Sequence, residues 1–406
     1  MRVVDADVLI TGRDERPLED GRIVLDDEGT IDAVGTQEDV GAPDGVDREH
    51  YPAVTPGLID AHLHLQGMRE MDPLSWITES SELGTARATA DLRDLLAAGF
   101  TAVRDVGSTT GIGLRDAVDE GTIPGPRIFT SGQSISQTGG HGDAHYLPYE
   151  WMTNTDESLS TLADGADECR KEARKRIRDG VDVLKIMTTG GVLSEKDAPD
   201  QSQFTDAEIR AFVEEAHRVG IPVASHAQGA PGIKSALRNG VDTIEHGFSL
   251  DEECLDLFTE TGAVFVPTLS IVYRLIEKGS DHGVPEYGLE KARRANEAHF
   301  ASVERAYEAG VPIATGTDFL GPDLVPHGEN ALELELFVEE IGMDEHEALQ
   351  SATRVAAETV PADDIGTLDA GNRGDLLALG RDPLEDITAV RAVEAVYCGG
   401  EPAEIQ

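Results

Sequence analysis

The sequence is poor in cysteine and has no long apolar run. Its three cysteines, Cys169, Cys254 and Cys398, lie far apart and form no CxxC pair. An odd number of distant cysteines does not make a disulfide framework, so a reducing, cytoplasmic location is expected. No run of about 18 apolar residues occurs, which argues against a transmembrane helix. The first residues are charged from Arg2 onward, and we expect no signal peptide.

Basic residues are also scarce. Lys and Arg total 33 against 78 Asp and Glu, which gives a net charge of −45. Such a charge repels nucleic acids and anionic membranes, so neither is an expected partner. The acidic residues are spread along the whole chain rather than gathered in a tail. A dispersed acidic surface with little lysine is typical of proteins from salt-loving organisms.

Both ends of the chain contain short strand-like segments separated by Gly and Asp turns. They cover residues 3–4, 8–10, 23–25, 31–34, 375–379 and 392–397. Neither end is long enough to bury a core of its own. We therefore predict one composite β-sandwich domain from residues 1–54 and 359–406, with residues 55–358 inserted as a second domain.

The central region alternates short β-branched segments with amphipathic helical ones, which is typical of a parallel sheet. Eight strand candidates cover residues 58–65, 101–106, 127–131, 183–187, 223–227, 243–246, 264–268 and 313–318. The helical stretches between them end at a glycine just before the next strand, as βα repeats require. Eight such strands over about 300 residues predict an α/β fold, a (β/α)8 TIM barrel.

Polar side chains lie on five of these strands, mostly at their carboxyl ends. They are His62 and His64, Lys185, His226, His246 and Asp318. The carboxyl ends of barrel strands meet at one mouth, so these groups are expected to converge. Each one alone has an ordinary explanation, such as a hydrogen-bonded core histidine or a helix N-cap aspartate. Together they favour a site for a divalent metal such as zinc.

The segments that carry these residues resemble the amidohydrolase superfamily. PGLIDAHLHL, VLKIM, SHA, IEHG and GTD occur in the order and spacing of that family's metal ligands, and GTLDAGNRGDLLALGRDPL near the C-terminus is also similar. The resemblance covers nearly the whole chain. Within the superfamily, Lys185, the HAQGAPGIKSALRNGVDTIEHG stretch and the GGHGD loop most resemble imidazolonepropionase-like Xaa-Pro dipeptidases and related acyl-amino-acid hydrolases.

This resemblance implies a centre of two divalent ions, with zinc as the expected metal. It assigns His62, His64 and Asp318 to the more buried ion, His226 and His246 to the other, and a CO2-derived carbamate on Lys185 as the bridge. A cationic lysine would be repelled by two dications, whereas a carbamate is a negative, bidentate ligand. Two ions about 3.5–4 Å apart share one water and make hydroxide available near pH 7.

The resemblance also implies the catalytic residues Asp318, His246 and His141. Asp318 would accept the water's proton and pass it to the leaving amine. His141, in the GGHGD loop, would lie near the substrate and bind its carbonyl or carboxylate group, although a turn histidine on a surface loop is an equal alternative.

One position departs from the pattern of the relatives. Gln228 stands where many of them carry a tyrosine that helps to hold a substrate carboxylate. This puts a strict preference for a C-terminal carboxylate in doubt. Tyr273 and Arg274, after the seventh strand, are candidates for a replacement anion site, although most such pairs lie on the surface.

The expected activity is hydrolysis of an amide or peptide bond in a small molecule, such as an Xaa-Pro dipeptide or an N-acyl amino acid, by a hydroxide that bridges two metals. Two rivals are a cyclic-amide hydrolase of imidazolonepropionase type and a deaminase with a single metal. Deaminases commonly carry a proton-shuttling Glu after the strand-five histidine, and HAQGAPG lacks one. A third alternative is a non-catalytic barrel that has lost its metal ligands, but all six ligand positions are intact in this sequence. Relatives often form oligomers, so a homo-oligomer is expected.

Overall fold

The computed structural model describes residues 1–13, 16–72, 75–153, 158, 160–192, 194 and 196–404. Its strands are β1 (Arg2–Leu9), β2 (Leu18–Leu25), β3 (Ile31–Thr36), β4 (Asp47–Pro56), β5 (Leu58–Leu63), β6 (Phe100–Asp105), β7 (Arg127–Thr130), β8 (Ser134–Ser136), β9 (Ser160–Leu162), β10 (Leu184–Met187), β11 (Val223–Gly229), β12 (Thr243–Ser249), β13 (Val264–Val266), β14 (Leu376–Leu379), β15 (Val393–Cys398) and β16 (Glu401–Pro402).

The helices occupy the segments between these strands. They are α1 (Ser75–Thr78), α2 (Ser81–Ala97), α3 (Gly111–Asp119), α4 (Tyr149–Thr153), α5 (Ala166–Asp179), α6 (Asp206–Arg218), α7 (Ala230–Arg238), α8 (Glu252–Thr261), α9 (Leu269–Lys278), α10 (Glu286–Glu308), α11 (Leu332–Leu336), α12 (Glu345–Ser351) and α13 (Arg354–Ala357). Gly279–His282 and Ile387–Arg391 form 3-10 turns, and Phe337–Ile341 forms a π-helical turn.

The central strands pair in parallel, as a (β/α)8 barrel requires. One parallel sheet runs β5–β6–β7 and the other β13–β12–β11–β10–β8–β9. The third barrel position is broken after β7 and resumes as β8, which pairs with β10. The N–H of Asp182 donates to the carbonyl oxygen of Thr130 at 2.8 Å, so the two sheets stay joined at this break. The TIM-barrel prediction is confirmed.

The eighth barrel position differs from the prediction of a regular strand at 313–318. Within the described residues it is held by isolated bridges, Phe265 to Ile313 and Leu63 to Phe319. The N–H groups of Thr317 and Asp318 both donate to the carbonyl oxygen of His62, at 3.0 and 2.7 Å. Two donors on one acceptor break the even spacing of a parallel ladder, so the segment turns at the barrel mouth instead of continuing as a strand.

The chain ends form a separate β-rich domain, as predicted. Its single sheet has the order β16–β15–β14–β4–β1–β2–β3, in which β4 pairs in parallel with β1 and antiparallel with β14. Only Gly57 separates β4 from the first barrel strand. Gly99, with φ of 90°, precedes β6 and lies so close to Leu377 of β14 that a Cβ there would be 2.8 Å from that side chain. The exact domain boundaries stay a prediction.

None of the helices in the described part of the chain combines the length and apolar character needed to cross a membrane. All three cysteines are free, and Cys169 and Cys254 are buried. Burial raises the pKa of both buried thiols to about 12, so they stay protonated and unreactive near neutral pH.

A buried ion pair in the terminal sheet generates the first prediction. The carboxylate of Asp5 accepts hydrogen bonds from Arg22 at 2.7 and 3.2 Å, and both side chains are almost fully buried. Asp5→Ala leaves the guanidinium without its carboxylate partner. We expect the free energy of unfolding to fall by about 3 kcal/mol, measured by chemical denaturation at fixed salt. The matched control is Asp7→Ala, an exposed aspartate on the same strand, and an equal loss in both variants would contradict this account.

Candidate metal centre

Two histidines lie at the carboxyl end of β5. His62 is the penultimate residue of the strand and is buried, whereas His64 follows the strand end and is partly exposed. Their ring centroids are 5.6 Å apart. The Nδ1–H of His64 donates to the carbonyl oxygen of Gly107 at 2.8 Å, which turns its Nε2 toward the site. Strand alternation therefore brings both imidazoles to one mouth, as the sequence predicts.

Asp318 lies on the last barrel segment, which neighbours β5, and its carboxylate faces these two histidines. Its Oδ1 lies 3.0 Å from Nε2 of His64 and 3.5 Å from Nε2 of His62. Burial opposes ionisation of this carboxyl, but the two imidazoles hold its pKa well below the usual range. The residue has φ of 58°, a left-handed conformation that costs free energy outside glycine. The tight turn at the barrel mouth imposes this conformation and directs the carboxylate inward.

His226 and His246 complete the group of four imidazoles. They lie on neighbouring strands, β11 and β12, and their ring centroids are 4.6 Å apart. The Nδ1 of His246 lies 2.8 Å from the Thr268 hydroxyl and 4.0 Å from Oδ2 of Asp318. Burial, together with neighbouring imidazoles and Lys185, lowers the pKa of both histidines well below its ordinary value. Both are thus neutral near pH 7, the form that binds metals.

Lys185 lies on β10 beneath these rings. Its side chain is buried, and its Nζ has no hydrogen-bond partner. Burial lowers the pKa of this amine to about 8. Burial of an ammonium group without an acceptor costs free energy, so this environment favours loss of the proton. The neutral amine that results is the form that reacts with CO2. The neutral amine is therefore more accessible at Lys185 than at an exposed lysine, and a modification of this residue stays a prediction.

The structure thus brings all six predicted ligand residues to one mouth. Three of them, His62, His246 and Asp318, have ligand atoms that all lie within 4.8 Å of one another and could hold a metal ion. Neutral imidazole nitrogens and one carboxylate are the donors that zinc and similar divalent ions prefer. The division of the six residues between two ions stays a prediction.

His141 lies against the second pair of histidines. Its ring stacks on that of His226, with centroids 4.2 Å apart and an interplanar angle of 18°. Its Nδ1 lies 2.9 Å from the hydroxyl of Ser194 and 3.6 Å from Oδ2 of Asp197. Asp197 is buried and also accepts from the N–H of Gly191 at 3.1 Å. His141 therefore lies on a turn at the cavity wall, where it is half-buried and held by these contacts, and its role toward the substrate stays a prediction.

The other predicted substrate residues differ in whether they line the cavity above the histidines. Gln228 lines the cavity, and its Oε1 is buried without a hydrogen-bond partner. Tyr273 and Arg274 do not line it; they lie on α9, and Arg274 Nη2 is 3.5 Å from Oε2 of Glu329. The anion site predicted at this Tyr-Arg pair stays a prediction, and their placement does not favour it.

Sequence reasoning missed a buried ion pair below the histidines. Arg104 on β6 and Glu245 on β12 are both fully buried, and Nη2 of the arginine lies 2.8 Å from Oε1 of the glutamate. Burial opposes ionisation of Glu245, but Arg104, Lys185 and His62 hold the pKa of its carboxyl well below the usual range. Two sequence signals could have indicated this pair. They are Arg104 in the largely apolar segment TAVRDV and Glu245 in IEHG.

A cavity of about 580 Å³ opens above these residues. Much of its wall is apolar and includes Met71, Met187, Phe248, Ile271, Leu275 and Val284. Among the described residues that line it, Lys185 is the only lysine or arginine. The space accommodates a molecule with large apolar groups and offers it few fixed positive charges.

A barrel with histidines, a lysine and an aspartate at its strand ends defines a class of hydrolases. The chain matches the amidohydrolase family over residues 53–403, and it belongs to this family of hydrolases.

The comparisons also include relatives with named activities. Ochratoxinase of Aspergillus niger is 33% identical over 420 residues, which cover 98% of this chain and 86% of that protein. A Xaa-Pro dipeptidase structure with methionine bound in its active site is 33% identical, covers 99% of both chains and has a TM-score of 0.88. A prolidase complexed with N-methylphosphonate-L-proline is 33% identical, covers 100% of both chains and has a TM-score of 0.91. The predicted relationship to prolidase-like amidohydrolases is confirmed.

Proposed function

We propose that the protein is a binuclear metal-dependent amidohydrolase that cleaves the C–N bond of a small amide, such as an Xaa-Pro dipeptide or an N-acyl amino acid. The observation that carries this proposal is the convergence of four imidazoles, one carboxylate and the unpartnered amine of Lys185 beneath a single cavity. The names of the relatives support the substrate class. A homo-oligomeric state and zinc as the metal belong to the same proposal.

The residues present fit two divalent ions. His62, His64 and Asp318 would hold one ion and His226 and His246 the other, with a carbamate on Lys185 between them. The buried, unpartnered Nζ of Lys185 supports this role, because CO2 addition would replace a costly cation with an anion that the two ions satisfy. Bound ions would polarise the scissile carbonyl and lower the pKa of the attacking water.

The chain itself supplies the proton transfers. The Asp318 carboxylate is ionised at neutral pH and can accept the proton of the attacking water. The same carboxyl can then deliver that proton to the nitrogen of the leaving amine. His141, held by Ser194 and Asp197, is positioned at the cavity wall to bind the carbonyl or carboxylate group of the substrate.

A first test concerns Lys185. With 13C-labelled bicarbonate, we expect one carbamate carbon resonance in the wild type that Lys185→Ala lacks. The variant should also lose about one of two metal equivalents and at least about 100-fold in kcat/KM, because the bridging ligand is gone. Metal analysis and steady-state kinetics measure this. Lys171→Ala, an exposed lysine on α5, is the control. A Lys185 variant with two metals and full activity would refute the bridge.

A second test separates metal binding from proton transfer. Asp318→Asn keeps an oxygen of similar position but removes the basic carboxylate. We expect most of the metal to remain and kcat to fall by about 10²- to 10⁴-fold. Asp143→Asn, which removes another carboxylate from the cavity wall, should change kcat by less than about tenfold. Wild-type turnover in the Asp318 variant would remove the proton-shuttle role.

The substrate class is tested by a screen of Xaa-Pro dipeptides and N-acyl amino acids with metal-loaded protein in high salt. Because Gln228 replaces the tyrosine of many relatives and Lys185 is the only described lining lysine or arginine, a dipeptide and its C-terminal amide should differ by less than about tenfold in kcat/KM. Free amino acid release supports the proposal. Ammonia release from a nucleobase-like substrate, or opening of a cyclic amide alone, would contradict it.

A further inference from the structure

The Arg104–Glu245 ion pair crosses the inside of the barrel directly below His62. The strands that carry it, β6 and β12, are not neighbours in either sheet. Nη2 of Arg104 donates to Oε1 and Oε2 of Glu245 at 2.8 and 3.0 Å, and Nη1 donates to the Thr243 hydroxyl at 3.0 Å. The Nε–H donates to the carbonyl oxygen of Ala61, the residue before His62. The guanidinium thus ties the strand of His62 to the opposite wall.

Glu245 also contacts His62 itself. Its Oε2 lies 2.5 Å from Nδ1 of that imidazole. A carboxylate whose two oxygens both lie within hydrogen-bond distance of an arginine Nη2 acts as an acceptor, so the hydrogen on this contact belongs to the imidazole. His62 is then fixed with its hydrogen on Nδ1 and with the lone pair of Nε2 directed at the centre, where Asp318 Oδ1 is 3.5 Å away.

This arrangement distinguishes His62 from two other histidines of the centre. His64 donates its Nδ1–H to a backbone carbonyl oxygen, and Nδ1 of His246 meets the hydroxyl of Thr268. Both of these partners are neutral. A carboxylate partner makes the other ring nitrogen a stronger metal ligand than a neutral partner does. The electrostatic support of the centre is therefore concentrated on one imidazole.

We propose that Glu245, held in place by Arg104, is a positioning residue that fixes the tautomer of His62 and sets the affinity of the metal position to which His62 belongs. The proposal rests on the proposed function in one respect, that His62 binds a metal. It assigns no contact with the substrate to either residue. Loss of Glu245 is expected to lower the metal affinity of the position to which His62 belongs and to leave the affinity of the other position unchanged.

The test must avoid the fold defect that follows when one member of a buried ion pair is removed. The main variant is therefore the charge-balanced pair Arg104→Met with Glu245→Leu, which removes both charges and the acceptor for His62. Glu245→Gln, which keeps the shape of the side chain but leaves Arg104 charged, is a second variant. The control is Arg22→Met with Asp5→Asn, which neutralises a comparable buried ion pair in the terminal sheet. Thermal unfolding of the metal-free proteins identifies any variant that is not folded.

Two measurements follow on the folded, full-length variants. Cobalt(II) titration in competition with a chelator should show one position weakened by about 10- to 100-fold and the other unchanged. In metal-free protein with 15N-labelled histidine, the His62 resonances, assigned with His62→Gln, should show hydrogen on Nδ1 in the wild type and a mixed tautomer in the charge-balanced variant. The control should show neither change.

The outcomes separate this proposal from the proposed function. An unchanged tautomer with wild-type affinity at both positions overturns the positioning role. Equal weakening of both positions, matched by the control, assigns the ion pair to stability alone and also overturns it. If wild-type protein binds no metal through His62, the proposed function fails, while the tautomer measurement still decides whether Glu245 orients His62.

Discussion

The structure depends on the closure of the barrel at the carbonyl oxygen of His62. This atom accepts N–H groups from both Thr317 and Asp318, and together with backbone hydrogen bonds on either side of it, it joins the last barrel segment to the first strand. Without this closure, Asp318 would not reach His62 and His64, and the two sheets would lose their common interior. The barrel is thus closed by two residues of the candidate metal centre, His62 and Asp318, and by Thr317, which precedes Asp318 in the sequence.

Charges of both signs lie together in the barrel interior, although the chain as a whole is strongly acidic. The chain carries a net charge of −45, yet Arg104 and Lys185 are buried beside Glu245 and the imidazoles. Burial keeps His226 and His246 neutral and weakens the basicity of Lys185, while nearby cationic groups keep Glu245 ionised. The neutral imidazoles of His226 and His246 and the carboxylate of Asp318 direct lone pairs at the mouth of the barrel. Such a site suits cations although it contains buried basic residues.

Much of this could be predicted from the sequence, because strand periodicity and strand ends are local properties. The alternation around His62 and the order of Lys185, His226, His246 and Asp318 indicate the barrel mouth from the sequence alone. The Arg104–Glu245 contact could not be predicted in the same way, because it joins strands that are not neighbours and depends on the register of the whole barrel. Tyr273 and Arg274 show a different limit. They lie on a helix, α9, whose other face carries Ile271 and Leu275 into the cavity, so the pair is directed away from it.

The terminal sheet has a consequence for synthesis of the protein. Strand β4 leads into the barrel through Gly57, but its antiparallel partner β14 begins only at Leu376. During translation the edge of β4 therefore emerges from the ribosome long before the strand that covers it, and the barrel strands must assemble beside an unpaired edge. Such edges promote association with other chains. The edge of β4 is therefore open to such association until residues 376–379 have been made.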